Sequence, residues 1–316
     1  MSEAVIQIKA LVKYFDGRCV LDGIDLDVER GCIYGLLGRN GAGKTTIIRI
    51  LMGLENASRG RTYLLGNSST NLPNKVKARV GYVAEAHNLI QNYSVNRLIR
   101  LCKDLSRNWN EAFFRDLIKR FRLPLERKVK ELSMGMRAQL NLSLAMAIEP
   151  EVLILDDPTL GLDTVSRREF LELAVDVIQR EGRTILFCSH ILSDVERIAD
   201  RIGILCAGKL VVDCGLEELK NRVTKLQLVF KDTAPKELYM KDIINQQTSG
   251  REMIVTVANL NKEKRAIIET FGPESCTEIP MSLEDIFIEC TRLDSERVGT
   301  LEREVEDVYA NQKGSD

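Results

Sequence analysis

Two short runs bring together residue types that handle phosphate. Gly38-Arg39-Asn40-Gly41-Ala42-Gly43-Lys44-Thr45 fits G-x-x-x-x-G-K-[ST] at every fixed position. Glycines there let backbone N–H groups curl around phosphate oxygens, and the following helix adds its partial positive charge. Lys44 is expected to reach the β- and γ-phosphates, and the Thr45 hydroxyl to ligate Mg²⁺. By itself this run says only nucleoside triphosphate. The second run, Leu153-Ile154-Leu155-Asp156-Asp157-Pro158, is an apolar strand ending in two acids. Buried beside the loop, it puts Asp156 at the carboxyl end of a sheet, where it can hold the Mg²⁺ shell. Asp157 then sits one residue further on, aimed at the γ-phosphate, where a general base for attacking water belongs.

Three further runs stand in fixed order around these two. Leu132-Ser133-Met134-Gly135-Met136-Arg137 lies about 20 residues upstream of the acids and opens a helical stretch. Gly161-Leu162-Asp163 follows the acids, and Ser189-His190 follows the next strand. The ordered set resembles the ATP-binding cassette (ABC) family, with Walker A, signature, Walker B, D-loop and switch histidine. The resemblance spans residues 5 to about 292.

It implies an ATPase in which two cassettes sandwich two ATP molecules head to tail. Ser133 and Gly135 would start a helix whose N-terminus caps the γ-phosphate held by the opposite subunit. Tyr14, in Leu11-Val12-Lys13-Tyr14-Phe15, matches the aromatic that stacks on adenine, and His190 matches the residue that contacts the γ-phosphate and orients water. The implied ATP contacts are Tyr14, Gly38, Arg39, Asn40, Gly41, Ala42, Gly43, Lys44, Thr45, Thr46, Ser133, Gly135 and Asp163. Mg²⁺ falls to Thr45, Glu85 and Asp156, and catalysis to Asp157, His190 and Glu85. The implied partners are a second ABC subunit and a membrane permease.

Three positions depart from the pattern. Met134 stands where glycine is commonest, in a form that resembles exporter-type cassettes. Asp157 replaces the usual glutamate and loses roughly 1 to 1.5 Å of reach. A misplacement of about 1 Å costs on the order of 100-fold in rate. Glu85, in Gly81-Tyr82-Val83-Ala84-Glu85, replaces the usual glutamine and adds negative charge beside the γ-phosphate. Two arrangements follow: a slow homodimer, or the weaker site of a heterodimer with a more typical cassette.

Strands and helices must position these groups. Strand patterns at 5–8 and 24–28 alternate, while 33–37, 152–155, 184–188 and 201–205 are apolar. Further strands are expected at 62–65 and 80–83, with helices over 44–54, 164–180 and 191–199. Strands that alternate with helices and are apolar throughout predict a mostly parallel sheet covered on both faces, an α/β P-loop ATPase core. Residues 88–148 carry helical periodicity and form the helical subdomain, the family's docking surface for the permease. The ATPase domain is read as 1–219, a small sheet-plus-helix domain of split βαβ type as 220–292, and 293–316 as a charged tail. Ser282-Leu283-Glu284-Asp285-Ile286-Phe287 resembles the appended domain of cassettes that drive export-type permeases.

Composition narrows the function classes. With 44% apolar and 29% charged residues the chain reads as globular, and a net charge of -1 gives no reason to expect nucleic acid. No run reaches the roughly 18 to 20 apolar residues of a membrane helix, and no signal peptide is visible, so the expected place is the cytoplasmic face of a membrane, through the permease. The eight scattered cysteines read as buried free thiols. The rival readings are a soluble ATPase of translation or DNA maintenance and a regulatory nucleotide sensor. The first expects two copies or a long coiled coil, and the chain shows neither.

Overall fold

The computed structural model describes residues 3–85 and 89–292, without the side chains of 176–181 and 292. His87 and the charged tail at 293–316 lie outside the described residues. The chain divides into two compact units, Met1–Leu210 and Val211–Asp316.

The first unit opens with a hairpin of β1 (Ala4–Phe15) and β2 (Arg18–Glu29). Asp16 and Gly17 turn it, both with positive φ, the geometry that matches the strand twist across a two-residue loop. β3 (Ile33–Gly38) is buried throughout and leads through the glycine loop into α1 (Lys44–Leu51). Next come β4 (Arg59–Leu64), β5 (Asn67–Ser68), the short α2 (Asn74–Lys77) and β6 (Val80–Val83). Three helices follow: α3 (Val95–Leu105), α4 (Glu111–Arg120) and α5 (Met134–Met146). Ser94, Asn110 and Ser133 cap them, each side chain accepting from a backbone N–H three residues on. The unit closes with β7 (Val152–Asp156), α6 (Thr164–Glu181), β8 (Thr184–Ser189), α7 (Leu192–Ile198) and β9 (Arg201–Cys206). The division between units falls inside β10 (Lys209–Gly215).

Strands β9-β3-β8-β7-β6 pair in parallel, as their unbroken apolar runs predict. The first two strands do not join them. They form a separate antiparallel sheet, β2-β1-β4-β5. Alternation is the cause: Ile8, Leu26 and Val28 face inward while the residues beside them are half-buried or exposed, so only one face needs full cover. That inner face packs with Ile47, Ile48 and Leu51 of α1 and with Leu36, Ile154 and Leu186 of the parallel sheet in a single core. α1, which carries the phosphate-loop lysine at its start, is therefore held on its apolar face.

The second unit runs α8 (Leu216–Arg222), β11 (Val223–Val229), β12 (Ile243–Ser249), β13 (Glu252–Ala258), α9 (Lys262–Thr270), β14 (Ser275–Ile279) and α10 (Leu283–Arg292). Its sheet order, β12-β13-β11-β14 with every neighbour antiparallel, is the split βαβ arrangement. The first crossover is irregular rather than helical; Phe230, Ala234 and Leu238 from it cap the core of Leu226, Leu228, Met253, Val255 and Val257. On α10, Glu289 is buried and accepts from Asn245 Nδ2 at 2.8 Å, with Lys225 Nζ 3.8 Å away. Removing the carboxylate strands both partners, so Glu289→Ala should destabilise the full chain by about 2 kcal/mol. Urea denaturation checks this; an unchanged midpoint would show that α10 is held by its apolar face alone.

Candidate active site

The buried β3 ends at Gly38, where the backbone turns through Gly41 and Gly43 into α1. Gly43 has φ 112, and a Cβ there would stand 2.5 Å from Leu21 Cδ2, so conformation and space both demand glycine. The turn leaves Lys44 at the first helical position, only 5% exposed. Its ammonium donates to Gly38 O at 2.8 Å and lies 3.9 Å from Asp157 Oδ2. Arg39, Asn40 and Gly41 are exposed at the rim, and Ala42, Thr45 and Thr46 are half-buried.

β7 lies in the same parallel sheet and ends in Asp156. The Thr45 hydroxyl donates to Asp156 Oδ1 at 3.2 Å, while Asp156 Oδ2 is buried without a partner. Burial pushes the Asp156 carboxyl up to about 6, against the Thr45 hydrogen bond, with Asp157 and Glu85 adding to the rise. The neighbouring Tyr82 is pushed up to about 12 by burial and then by Asp156. The same surroundings hold the buried Cys188 thiol well above its usual range.

Asp157 departs from strand geometry with φ 43, a left-handed conformation that aspartate tolerates better than most side chains. Its N–H donates to Cys188 O at 2.9 Å, tying it to the end of β8. Its Oδ1 accepts from the His190 N–H at 3.0 Å and meets His190 Nδ1 at 2.6 Å. Lys44, Thr45, Asp156, Asp157 and His190, far apart in sequence, thus form one connected cluster.

The other expected residues lie around it in different ways. Tyr14 is 46% exposed near the tip of the first hairpin, its N–H donating to Ser58 Oγ. Its neighbour Lys13 is buried and donates to Glu55 Oε1 and Asn56 O, which pins the segment without using Tyr14's ring. Glu85 follows β6 and is exposed. Ser133 caps α5; Met134 and Gly135 stand against Gly161, Leu162 and Ser166. Asp163 spends both carboxylate oxygens on Val165, Ser166 and the start of α6.

The profile of the ABC transporter family matches residues 21–160. The ABC transporter ATP-binding protein YtrB of Bacillus subtilis (strain 168) is 32% identical over 284 residues, covering 90% of this chain and 97% of its own. The chain belongs to the ABC transporter ATP-binding proteins. The bacitracin transport ATP-binding protein BcrA of Bacillus licheniformis is 31% identical over 223 residues, 70% of this ABC chain and 73% of that one. Among solved structures, an ATP-binding subunit of an ABC transporter superposes with a TM-score of 0.62 at 27% identity, covering 68% of this chain and 92% of the other. The ABC ATPase fold expected from the motifs is the fold found.

The site fits the ligands of an ABC ATPase. Asp156 has a free buried oxygen beside a hydroxyl, the hard-oxygen chemistry that Mg²⁺ takes. Among the described residues no group of three or more His, Cys, Asp or Glu is placed to hold a metal ion by itself. Sequence reasoning missed one supporting group. Thr159 Oγ1 donates to Asp194 Oδ2 at 2.7 Å, both residues buried, and Arg167 Nε lies 3.8 Å from the same oxygen. This joins the start of the 159–163 loop to the helix after His190. The only signal for it was an acid four residues after His190.

The raised Asp156 carboxyl has a sign that can be tested. Between about pH 4 and pH 6 the folded chain binds more protons than the unfolded chain, so stability from this group falls as pH rises through 6. Asp156→Asn should remove that slope and stabilise the nucleotide-free, metal-free protein at pH 7 by up to about 3 kcal/mol, while abolishing hydrolysis. Parallel urea-stability profiles for both proteins from pH 4.5 to 7.5 would rule this out.

Proposed function

We propose that this chain is the ATP-hydrolysing subunit of an export-type transporter, paired with a second cassette and seated on a separate permease at the cytoplasmic face of a membrane. The observation that carries the reading is the Lys44–Asp156–Asp157–His190 cluster beneath the glycine loop, buried but for its half-exposed histidine. No helix among the described residues is long and apolar enough to cross a membrane, which supports a pathway supplied by another polypeptide. Ser133 and Met134 are exposed at the start of α5, a helix end available to a second subunit's nucleotide. The direction of transport rests on the Met134 signature, on the Ser282-Leu283-Glu284-Asp285 run and on the likeness to a bacitracin transport protein.

Each residue's part follows from its surroundings. The Gly38–Gly43 backbone and Lys44 bind the phosphates and neutralise their charge. Thr45 and Asp156 would hold Mg²⁺, with Glu85 beside them; the ion supplies charge stabilisation at the phosphate oxygens. Tyr14 offers its exposed ring to adenine. Asp157 fixes the imidazole of His190 through Nδ1, which leaves Nε2 to meet the γ-phosphate and water.

Asp157 is then a restrained base. Its Oδ1 is occupied by two His190 nitrogens and its Oδ2 faces Lys44, so neither oxygen can turn to a water without giving up a partner. Turnover of MgATP by the purified chain should therefore be slow, and Asp157→Glu, with one methylene more reach, should raise kcat about tenfold or more. Lys44→Ala should lose ATP binding, and His190→Ala should lower kcat about 100-fold with ATP binding retained. Brisk native turnover that Asp157→Glu leaves unchanged would overturn the restrained-base reading. Failure to co-purify any permease from membranes would overturn the transporter assignment.

A further inference from the structure

The turn that carries Asp157 is stiff along its length. Leu160 N donates to Asp157 O at 3.2 Å and Leu162 N to Thr159 O at 3.1 Å, so two overlapping turns run from 157 to 162. Pro158 fixes its own φ within them. The freedom that remains is mostly at Asp157, which already stands in the left-handed region with φ 43. A residue with a side chain keeps such a conformation only where its surroundings hold it from more than one side.

The first hold is direct: the Asp157 N–H donates to Cys188 O, and Oδ1 meets His190. The second lies two residues on. Thr159 Oγ1 donates to Asp194 Oδ2 at 2.7 Å, and both residues are buried. Asp194 is itself folded back toward the histidine. Its N–H donates to Ile191 O at 3.2 Å, and the Ile191 N–H donates to Ser189 Oγ at 3.0 Å. The two holds close a ring. It runs from Asp157 through Thr159, Asp194 and His190, and returns to Asp157 by the 2.6 Å contact at Nδ1. Arg167 braces it: Nη2 donates to Leu162 O at 3.5 Å, and Nε, buried without a hydrogen-bond partner, stands 3.8 Å from Asp194 Oδ2.

A carboxylate is a costly group to bury. Desolvation raises the Asp194 carboxyl above its usual range, against the Thr159 hydrogen bond and Arg167. An apolar pair of similar volume would pack α7 on the turn at lower cost. What an apolar pair lacks is direction, because a hydroxyl-to-carboxylate bond sets both distance and angle.

We infer that Asp194 is a positioning residue for hydrolysis: through Thr159 it holds the turn of Asp157 at the angle where Oδ1 meets His190 Nδ1. The inference rests on the proposed roles of Asp157 and His190 and adds to them a residue that acts at one remove.

Two readouts on the purified full chain test it. The first needs no turnover. The chain has two histidines, so the Nδ1 proton of His190 in ¹⁵N-histidine-labelled protein is assigned by its loss in His190→Ala. In the nucleotide-free native chain a proton held between Nδ1 and Asp157 Oδ1 should resonate far downfield and exchange slowly with water. Thr159→Val, which keeps the side-chain shape and removes the hydroxyl, should abolish that signal. Thr159→Ser, and Asp194→Asn, which keeps an acceptor oxygen, should retain it. The second readout is MgATP kinetics. Thr159→Val and Asp194→Ala should each lower kcat about tenfold or more with ATP affinity unchanged, and Thr159→Ser should keep kcat. A downfield signal and kcat that both survive Thr159→Val would overturn the inference. So would a native chain without the signal, or a loss of ATP affinity in step with kcat, which would mark a general loosening of the fold. Turnover that survives His190→Ala would defeat the proposed role of the histidine while leaving the NMR comparison intact, so the two readings fail separately.

Discussion

An ammonium and two carboxylates are packed under a glycine loop with almost no water to screen them. Lys44, Asp156 and Asp157 are each 5% exposed or less. Buried ions of this kind persist only where their partners are fixed to within a fraction of an ångström. Here the fixing is done by parallel strands. β3, β7 and β8 run side by side, so their carboxyl ends deliver the loop, the acids and the histidine to one edge. The antiparallel sheet serves the same end from the opposite side, because its apolar face closes over α1 and stops the lysine helix from shifting.

The constraint extends beyond the cluster. Asp157 reaches the end of β8 through Cys188 O, and His190 leads into α7. Asp194 on α7 holds Thr159, and the loop that begins there supports Met134 and Gly135 at the start of α5. A chain of direct contacts therefore runs from the glycine loop to the start of α5.

Much of this was legible because phosphate chemistry is local. Gly38 to Thr45 sit in one run, and Asp156-Asp157 end a strand whose apolar character is plain. The parallel core could be read from unbroken hydrophobic runs, and the helices from periodicity. What escaped was long-range or geometric. The alternation in β1 and β2 was visible, but that these strands leave the main sheet depends on what covers their inner face. The irregular crossover at 230–242 replaces a helix because three apolar side chains suffice to cap that core. The hold of Asp157 on His190, and of Asp194 on Thr159, depends on side chains more than 30 residues apart meeting across strands.

The unpartnered oxygen of Asp156 also bears on protein lifetime. A folded state that binds nucleotide and metal, when the unfolded chain does not, gains stability by mass action in proportion to their supply. The empty protein keeps the desolvated carboxylate uncompensated and is the weaker form. Proteases acting on transiently unfolded molecules would therefore remove empty subunits first, and the abundance of this chain would follow the energy charge of its cell.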